Sequence, residues 1–297
     1  MSELAITEAR PESAVRDFVS LTKPRIISLL LVTTVAPMFV AGSPTWLEVL
    51  IVCVGGYLMA GGANAVNMYM DRDIDNVMAR TRLRPIPSGR MTPVAVLSFG
   101  VALAVAATWL LGHFVNLLTA ALALGGFYFY VFIYTRWLKR TSPQNIVIGG
   151  AAGAFPPLVG WAAVTGRLDL QALYLFLIVF YWTPPHFWAL ALLKQKDYGK
   201  AGVPMAPLIW GERETMNQML WYTLILLALT ILPVAFGAFG VVYLVSAVVL
   251  GGILLRGILK VRSAAIWTKP AWWVYKYSLL YLALLFTAMV VDRQFPI

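Results

Sequence analysis

Nine stretches of the chain are apolar enough, and long enough, to cross a bilayer: 26–42, 47–66, 94–112, 116–134, 146–165, 171–192, 219–237, 239–259 and 275–291. Each predicts a helix, because a backbone exposed to lipid must satisfy its own hydrogen bonds. The pattern therefore predicts an all-α, polytopic membrane protein. Its nine transmembrane helices would surround a central cavity and form one domain over 1–297, behind a polar cytoplasmic segment at 1–22.

The polar connections divide into two kinds. Four are short ("GSPTW", "GHFV", "TGRLDL", "FGAFG"), and they alternate with longer ones at 67–93, 135–145 and 193–218. Of the 23 Lys and Arg residues, 21 fall on the side of the longer connections; only Arg167 and Arg293 fall on the other. This asymmetry predicts a cytoplasmic N-terminus and a periplasmic C-terminus, with the cavity opening to the cytoplasm. It also accounts for the net charge of +10 by contact with the lipid bilayer, with no need for nucleic acid. Charged residues make up 12% of the chain, about half the share usual in soluble domains. Cys53 is the only cysteine, which excludes an intrachain disulfide. The opening segment carries Glu3, Glu8, Glu12 and Asp17, unlike a secretory signal or a transit peptide. The location expected is a bacterial inner membrane.

Candidate chemistry concentrates in "NMYMDRDIDNVMARTRLRPIPSGRM" at 67–91. Asn67, Asp71 and Asp75 recur every fourth residue. If the second helix continues through them, each step drifts only about 40° and rises about 6 Å, so the three form one column. Asp73 lies about 200° from Asp71 and faces away. Oxygen ligands in such a column suit Mg²⁺, which takes one or two carboxylates and fills its shell with water and phosphate. Arg80, Arg82 and Arg84 offer forked donors to phosphate oxygens. The residues equally allow a solvated loop whose acids and bases pair among themselves. A second polar stretch on the same side, "KQKDYGKAGVPMAPL", holds Lys194, Asp197 and Lys200. The two stretches follow the second and sixth spans, an arrangement that suggests two related four-helix halves. His186 lies about two turns before Lys194 and could be a structural residue, an iron ligand or a handler of water. His113 reads as a loop residue. Trp272 and Trp273 read as interfacial anchors.

Asn67-x₃-Asp71-x₃-Asp75 followed by "RTRLRPIPSG" resembles the first motif of the UbiA superfamily of intramembrane prenyltransferases, which have nine transmembrane helices. "LTKPRI", "LKRTSPQNIVIGGAAGAFPPLVGWAA", "TPPHFWALAL" and "KDYGKAGVPM" are similar to the branch that farnesylates protoheme IX. The resemblance covers nearly the whole chain. It implies farnesyl diphosphate and protoheme IX as substrates, Mg²⁺ as cofactor and heme O as product. It assigns metal binding to Asn67, Asp71 and Asp75, a catalytic role to these with Asp197, and diphosphate binding to Arg80, Arg84, Lys194 and Lys200. His186 becomes a candidate heme or acceptor contact, and heme-modifying or oxidase-assembly proteins become candidate downstream partners. One position departs: the superfamily's second motif is commonly Asp-x₃-Asp, whereas Ala201 stands four residues after Asp197, which puts a second protein-held Mg²⁺ in doubt. Alternative readings are a prenyltransferase for a quinone precursor or another aromatic acceptor, and a non-catalytic assembly factor. A transporter would be expected to carry acids along its spans, and the Asp-Gly-x₂-Ala-Arg pattern of CDP-alcohol phosphotransferases is absent.

Overall fold

The computed structural model describes residues 14–295. Among them are nine helices long and apolar enough to cross a membrane: Pro24–Ala41, Trp46–Met70, Pro93–Phe114, Leu117–Thr141, Asn145–Thr165, Leu170–Lys200, Glu212–Ala235, Val241–Ser263 and Thr268–Gln294. The chain is a multi-pass membrane protein. All nine predicted spans are present, and several run further than the apolar stretches did. The sixth continues to Lys200, eight residues beyond 192, and the seventh starts at Glu212 rather than 219. Hydropathy marks where lipid stops, while a helix continues as long as its backbone bonds do.

Each span packs against the next, and the ninth returns to the first, so the spans form a closed ring. The first and fifth also pack on each other, as do the sixth and ninth. Small residues set the closest approaches. A Cβ on Gly160 would stand 1.8 Å from the Thr34 carbonyl oxygen of the first span, far inside van der Waals contact. Gly62 and Gly100 meet backbone to backbone between the second and third spans; a Cβ on Gly62 would lie 2.6 Å from the Gly100 oxygen. Such small-residue seams hold helices together where lipid supplies no hydrophobic drive.

Three departures from regular helix matter for the site. The second span ends at Met70, Asp71 caps it with φ −90° and ψ 7°, and a short helix, Arg72–Val77, follows. The expected single helix is thus broken at Asp71, although the bonds Asp71 N–H to Asn67 O and Asp75 N–H to Asp71 O keep the spacing helical. The fourth span changes from α-helix to π-helix over Phe129–Leu138. The fifth is interrupted between Asn145–Gly149 and Ala151–Thr165.

The segment 1–22 was read as polar. Residues 1–13 lie outside the described part, but Ala14–Thr22 is a helix. Leu21 is buried, and Phe18 meets Phe99 with ring centroids 4.8 Å apart. Arg90 donates from Nε to both oxygens of the buried Asp17, at 3.0 and 3.1 Å. This helix packs beside the second and third spans, at the end of the ring that holds the acidic cluster.

Candidate active site

Between the N-terminal helix and the first span stands Lys23, with φ 54° and ψ 62°. It is the one non-glycine residue of positive φ among those described. The following Pro24 disfavours the right-handed helical region for the residue before it, so the chain turns here through the left-handed one. Strain of this kind persists where surrounding contacts enforce it. Here Asn64 donates to the Thr22 carbonyl at 2.9 Å, and Lys23 Nζ donates to Asn64 Oδ1 and Asn67 Oδ1, each at 3.2 Å. The turn therefore carries an ammonium into the head of the second span. Burial, together with the nearby charges of Arg84 and Lys139, brings the Lys23 pKa down to about 7.

Asn67 passes the network on. Its Nδ2 donates to Asp71 Oδ2 at 2.7 Å and to Thr135 Oγ1 at 3.1 Å. Thr135 in turn donates to the Tyr130 carbonyl five residues back, at 2.9 Å, a spacing characteristic of the π-helix. Such insertions recur at functional sites. In this chain the π-segment leads directly to Lys139, whose Nζ donates to Asp71 Oδ2 at 2.5 Å. Asp75 is held by both of its oxygens, at 2.9 and 2.7 Å from Arg84 Nη1. Asn67, Asp71 and Asp75 are all buried, at 3%, 1% and 2% exposure. Asp73 points outward, with its side chain 60% exposed, and takes two hydrogen bonds from Arg140, at 2.6 and 2.8 Å. The Arg140 hydrogen bonds hold its pKa at about 2.

Arg140 is spent on the outward Asp73, so the buried carboxylates Asp71 and Asp75 face Lys139, Arg84 and the partly protonated Lys23. The buried cluster thus carries a fractional surplus of positive charge at neutral pH, which suits a polyanion. The donor set fits Mg²⁺. Asp71 Oδ1 is buried with no hydrogen-bond partner, and two carboxylates and an amide oxygen are hard ligands of the kind the ion takes alongside substrate phosphate. Among the described residues no group of three or more His, Cys, Asp or Glu side chains forms a complete metal cage. The ion's shell would need oxygens from substrate and water.

The other candidates spread around this cluster. Arg84 is inside it. Arg80 is exposed, within electrostatic reach of Tyr134 and Tyr198. Asp197 is half-buried and has no ion pair among the described residues; its neighbour Tyr198 is buried, in the field of Arg80 and Arg84. Lys194 interrupts the sixth span with φ −117° and sits over the Trp272 ring at 5.8 Å, facing the ninth span rather than the carboxylates. Lys200 is exposed. His186 is buried between the sixth and ninth spans, stacked on Trp182 and Tyr275 at 4.5 and 4.9 Å. Its Nδ1 lies 2.7 Å from Ser278 Oγ, and that hydroxyl gives its own hydrogen to the Tyr275 carbonyl at 3.0 Å. With the hydroxyl hydrogen so spent, the tautomer that completes this contact is the one protonated at Nδ1.

Lys23, Lys139, Arg140, Asn64 and Thr135 join the cluster without having been singled out from sequence. The one available hint was "LTKPRI", whose X-Pro step marks a backbone break at Lys23.

A profile of the UbiA prenyltransferase family matches residues 29–280. The chain belongs to this family. A protoheme IX farnesyltransferase of a Roseiflexus species is 57% identical over 295 residues, 99% of this chain. The chain spans only about half of that relative's length, 55%. The protoheme IX farnesyltransferase of Symbiobacterium thermophilum is 54% identical, over 94% of both chains. Among solved structures, a digeranylgeranylglyceryl phosphate synthase superposes over 94% of this chain with a TM-score of 0.74 at 17% identity. A UbiA homologue from Archaeoglobus fulgidus, solved with GPP and Mg²⁺ bound, superposes over 92% with a TM-score of 0.65 at 14% identity. At these identities the likeness establishes a shared fold. It agrees with the nine-span ring.

Proposed function

We propose that this family member transfers the farnesyl group of farnesyl diphosphate to a vinyl group of protoheme IX. Water adds to the other vinyl carbon, giving heme O and releasing diphosphate and a proton. The observation that carries this reading is the shared identity, 54% over 94% of both chains, with a relative named for that activity. The cation-lined cluster supplies the matching chemistry.

On this reading the nine spans act as one domain, in a bacterial inner membrane, with the N-terminus and the acidic mouth cytoplasmic and the C-terminus periplasmic. Asn67, Asp71 and Asp75 hold Mg²⁺, which when bound supplies positive charge against the departing diphosphate. Lys23 turns from the amide oxygens of Asn64 and Asn67, and Arg84 and Lys139 from the carboxylates, towards the phosphate oxygens, where they stabilise the charge that develops. Asp197 and Arg80, both within electrostatic reach of the buried Tyr198, are assigned to the diphosphate side, and Lys194 and Lys200 raise the positive potential at the mouth. Burying the 15-carbon chain between the spans is worth up to about 12 kcal/mol at about 0.8 kcal/mol per carbon, which anchors substrate at a lipid-facing site. With Nδ1 of His186 placed against Ser278, Nε2 is the kind of imidazole nitrogen that ligates iron or accepts a proton, and it is assigned to the heme side.

Purified protein given farnesyl diphosphate, protoheme and Mg²⁺ should yield a later-eluting heme on reversed-phase chromatography. The product should disappear when the metal is chelated. Prenylation of an aromatic acid by active protein that leaves heme untouched would instead establish the quinone-precursor reading.

A further inference from the structure

The first and fifth spans both run away from the acidic cluster, one from Pro24 beside Lys23 and the other from Asn145 soon after Lys139, and they pack on each other across the ring. Far from the cluster their seam is closed. A Cβ on Gly160 would stand 1.8 Å from the Thr34 carbonyl oxygen, and one on Gly42 would stand 3.0 Å from Val164 Cγ1. Gly153 precedes Gly160 by seven residues in the same helix, Ala151–Thr165. It therefore lies within about 20° of Gly160 on the same face, and about 10 Å nearer the cluster. A Cβ there would meet nothing within 4 Å. Among the other glycines of the nine spans, only the exposed Gly252 has as much room.

The remaining faces of the fifth span are filled. Tyr134 of the fourth span lies against Gly149, Thr183 of the sixth against Gly150, and Phe155 fits onto Gly125 and Gly126. Two helices that touch at Gly160 and Thr34 but stand apart at Gly153 enclose a cleft that widens towards the cluster. Its floor is backbone. Lys23, at the mouth, holds Asn64 and Asn67 and precedes Thr34 by 11 residues, which makes the cleft about 16 Å deep at about 1.5 Å per residue. An extended isoprene unit spans about 5 Å, from about 1.2 Å per main-chain bond. Three units need about 15 Å and four about 20 Å.

We propose that this cleft gauges the length of the prenyl chain: the Gly160–Thr34 crossing stops the chain at three isoprene units, and Gly153 and Leu30 set the width above it. Leu30 stands one turn above Thr34 and is half-buried. The proposal rests on the reading that Lys23 meets the diphosphate, and adds which chain that site admits.

The test uses full-length protein with Mg²⁺ and the thiolodiphosphates of geranyl, farnesyl and geranylgeranyl, which bind without reacting; dissociation constants come from calorimetry, and no heme is needed. Farnesyl should bind most tightly, and geranylgeranyl about tenfold more weakly as its fourth unit overpacks the floor. Leu30→Trp fills the lower cleft, displacing about five carbons. It should weaken farnesyl binding by about 10²–10³-fold and leave geranyl nearly unchanged. Gly153→Val narrows the upper cleft and should weaken all three chains together by about tenfold, with inorganic pyrophosphate bound as before. Leu30→Phe and Gly153→Ala, milder changes, should act in the same directions by smaller factors, and Gly252→Leu, on the exposed side, should change nothing. Equal binding of farnesyl and geranylgeranyl, equal loss of geranyl and farnesyl in Leu30→Trp, or a matching loss in Gly252→Leu would overturn the gauge alone. Pyrophosphate that does not bind the wild-type protein would overturn the diphosphate reading, and the gauge with it.

Discussion

Replacing Asp71 by Asn removes one charge from the most enclosed carboxylate of the site and leaves its shape. Asp71 is 1% exposed and accepts from Asn67 Nδ2 and Lys139 Nζ, with Arg140 Nη2 at 3.8 Å. The variant leaves Lys139, 14% exposed, without its counter-charge. Breaking a buried pair from one side costs about 3–5 kcal/mol, and the partial access of Lys139 points to the lower figure. On the rate, loss of a group that positions developing charge typically costs about 10²–10³. Asp73→Asn is the matched control, with the same formal change two residues away. Its carboxylate is mostly exposed, and Arg140 keeps its bond to the Met70 carbonyl at 2.8 Å. An exposed pair is worth at most about 1 kcal/mol, so turnover should stay within about tenfold of wild type. The assay is the initial rate of farnesylated heme formation per mole of folded protein, with folding measured by thermal unfolding. Equal loss in both variants would reduce the site to general electrostatics. An unaffected Asp71→Asn would remove the metal assignment.

Thr135→Val deletes the hydroxyl that links Asn67 to the π-segment; it should cost about 1 kcal/mol in stability and lower turnover without abolishing it, as thermal unfolding and initial rates will show. Gly160→Ala places a methyl 1.8 Å from the Thr34 oxygen; the overpacking should cost about 1–3 kcal/mol, read as a lower unfolding temperature or reduced accumulation in membranes. A cysteine in place of the exposed Ser88 should react with an impermeant maleimide only from the cytoplasmic side, and labelling from the periplasm would invert the topology.

The ring of spans was legible because lipid imposes one rule along each apolar stretch. The outward turn of Asp73 and the inward turn of Asp71 and Asp75 were legible from 100° per residue, even though the helix breaks at Asp71, because the break keeps the four-residue hydrogen bonds. The cationic half of the site was not. Lys23 reaches Asn64 and Asn67 from 41 and 44 residues away, and Lys139 reaches Asp71 across 68; only the packing of spans brings them together. Asp73 takes its hydrogen bonds from Arg140, in the fourth span, and not from its neighbours in sequence. Propensity offers no signal for the π-helix, which depends on contacts along the whole segment. Lys194, which the resemblance assigns to the diphosphate, stands at a local kink over the Trp272 ring, a placement that hydropathy does not reveal.

The central claim, farnesyl transfer to heme at the Asn67–Asp71–Asp75 cluster, is tested most directly by the mass of heme extracted from cells lacking their own activity and supplied with this chain. Wild-type protein should yield a heme heavier than protoheme by the elements of farnesol, one farnesyl group and one hydroxyl across a single vinyl. The Asp71→Asn protein, present in the membrane at equal amount, should yield protoheme alone. Unmodified protoheme from cells containing folded wild-type protein would contradict the account.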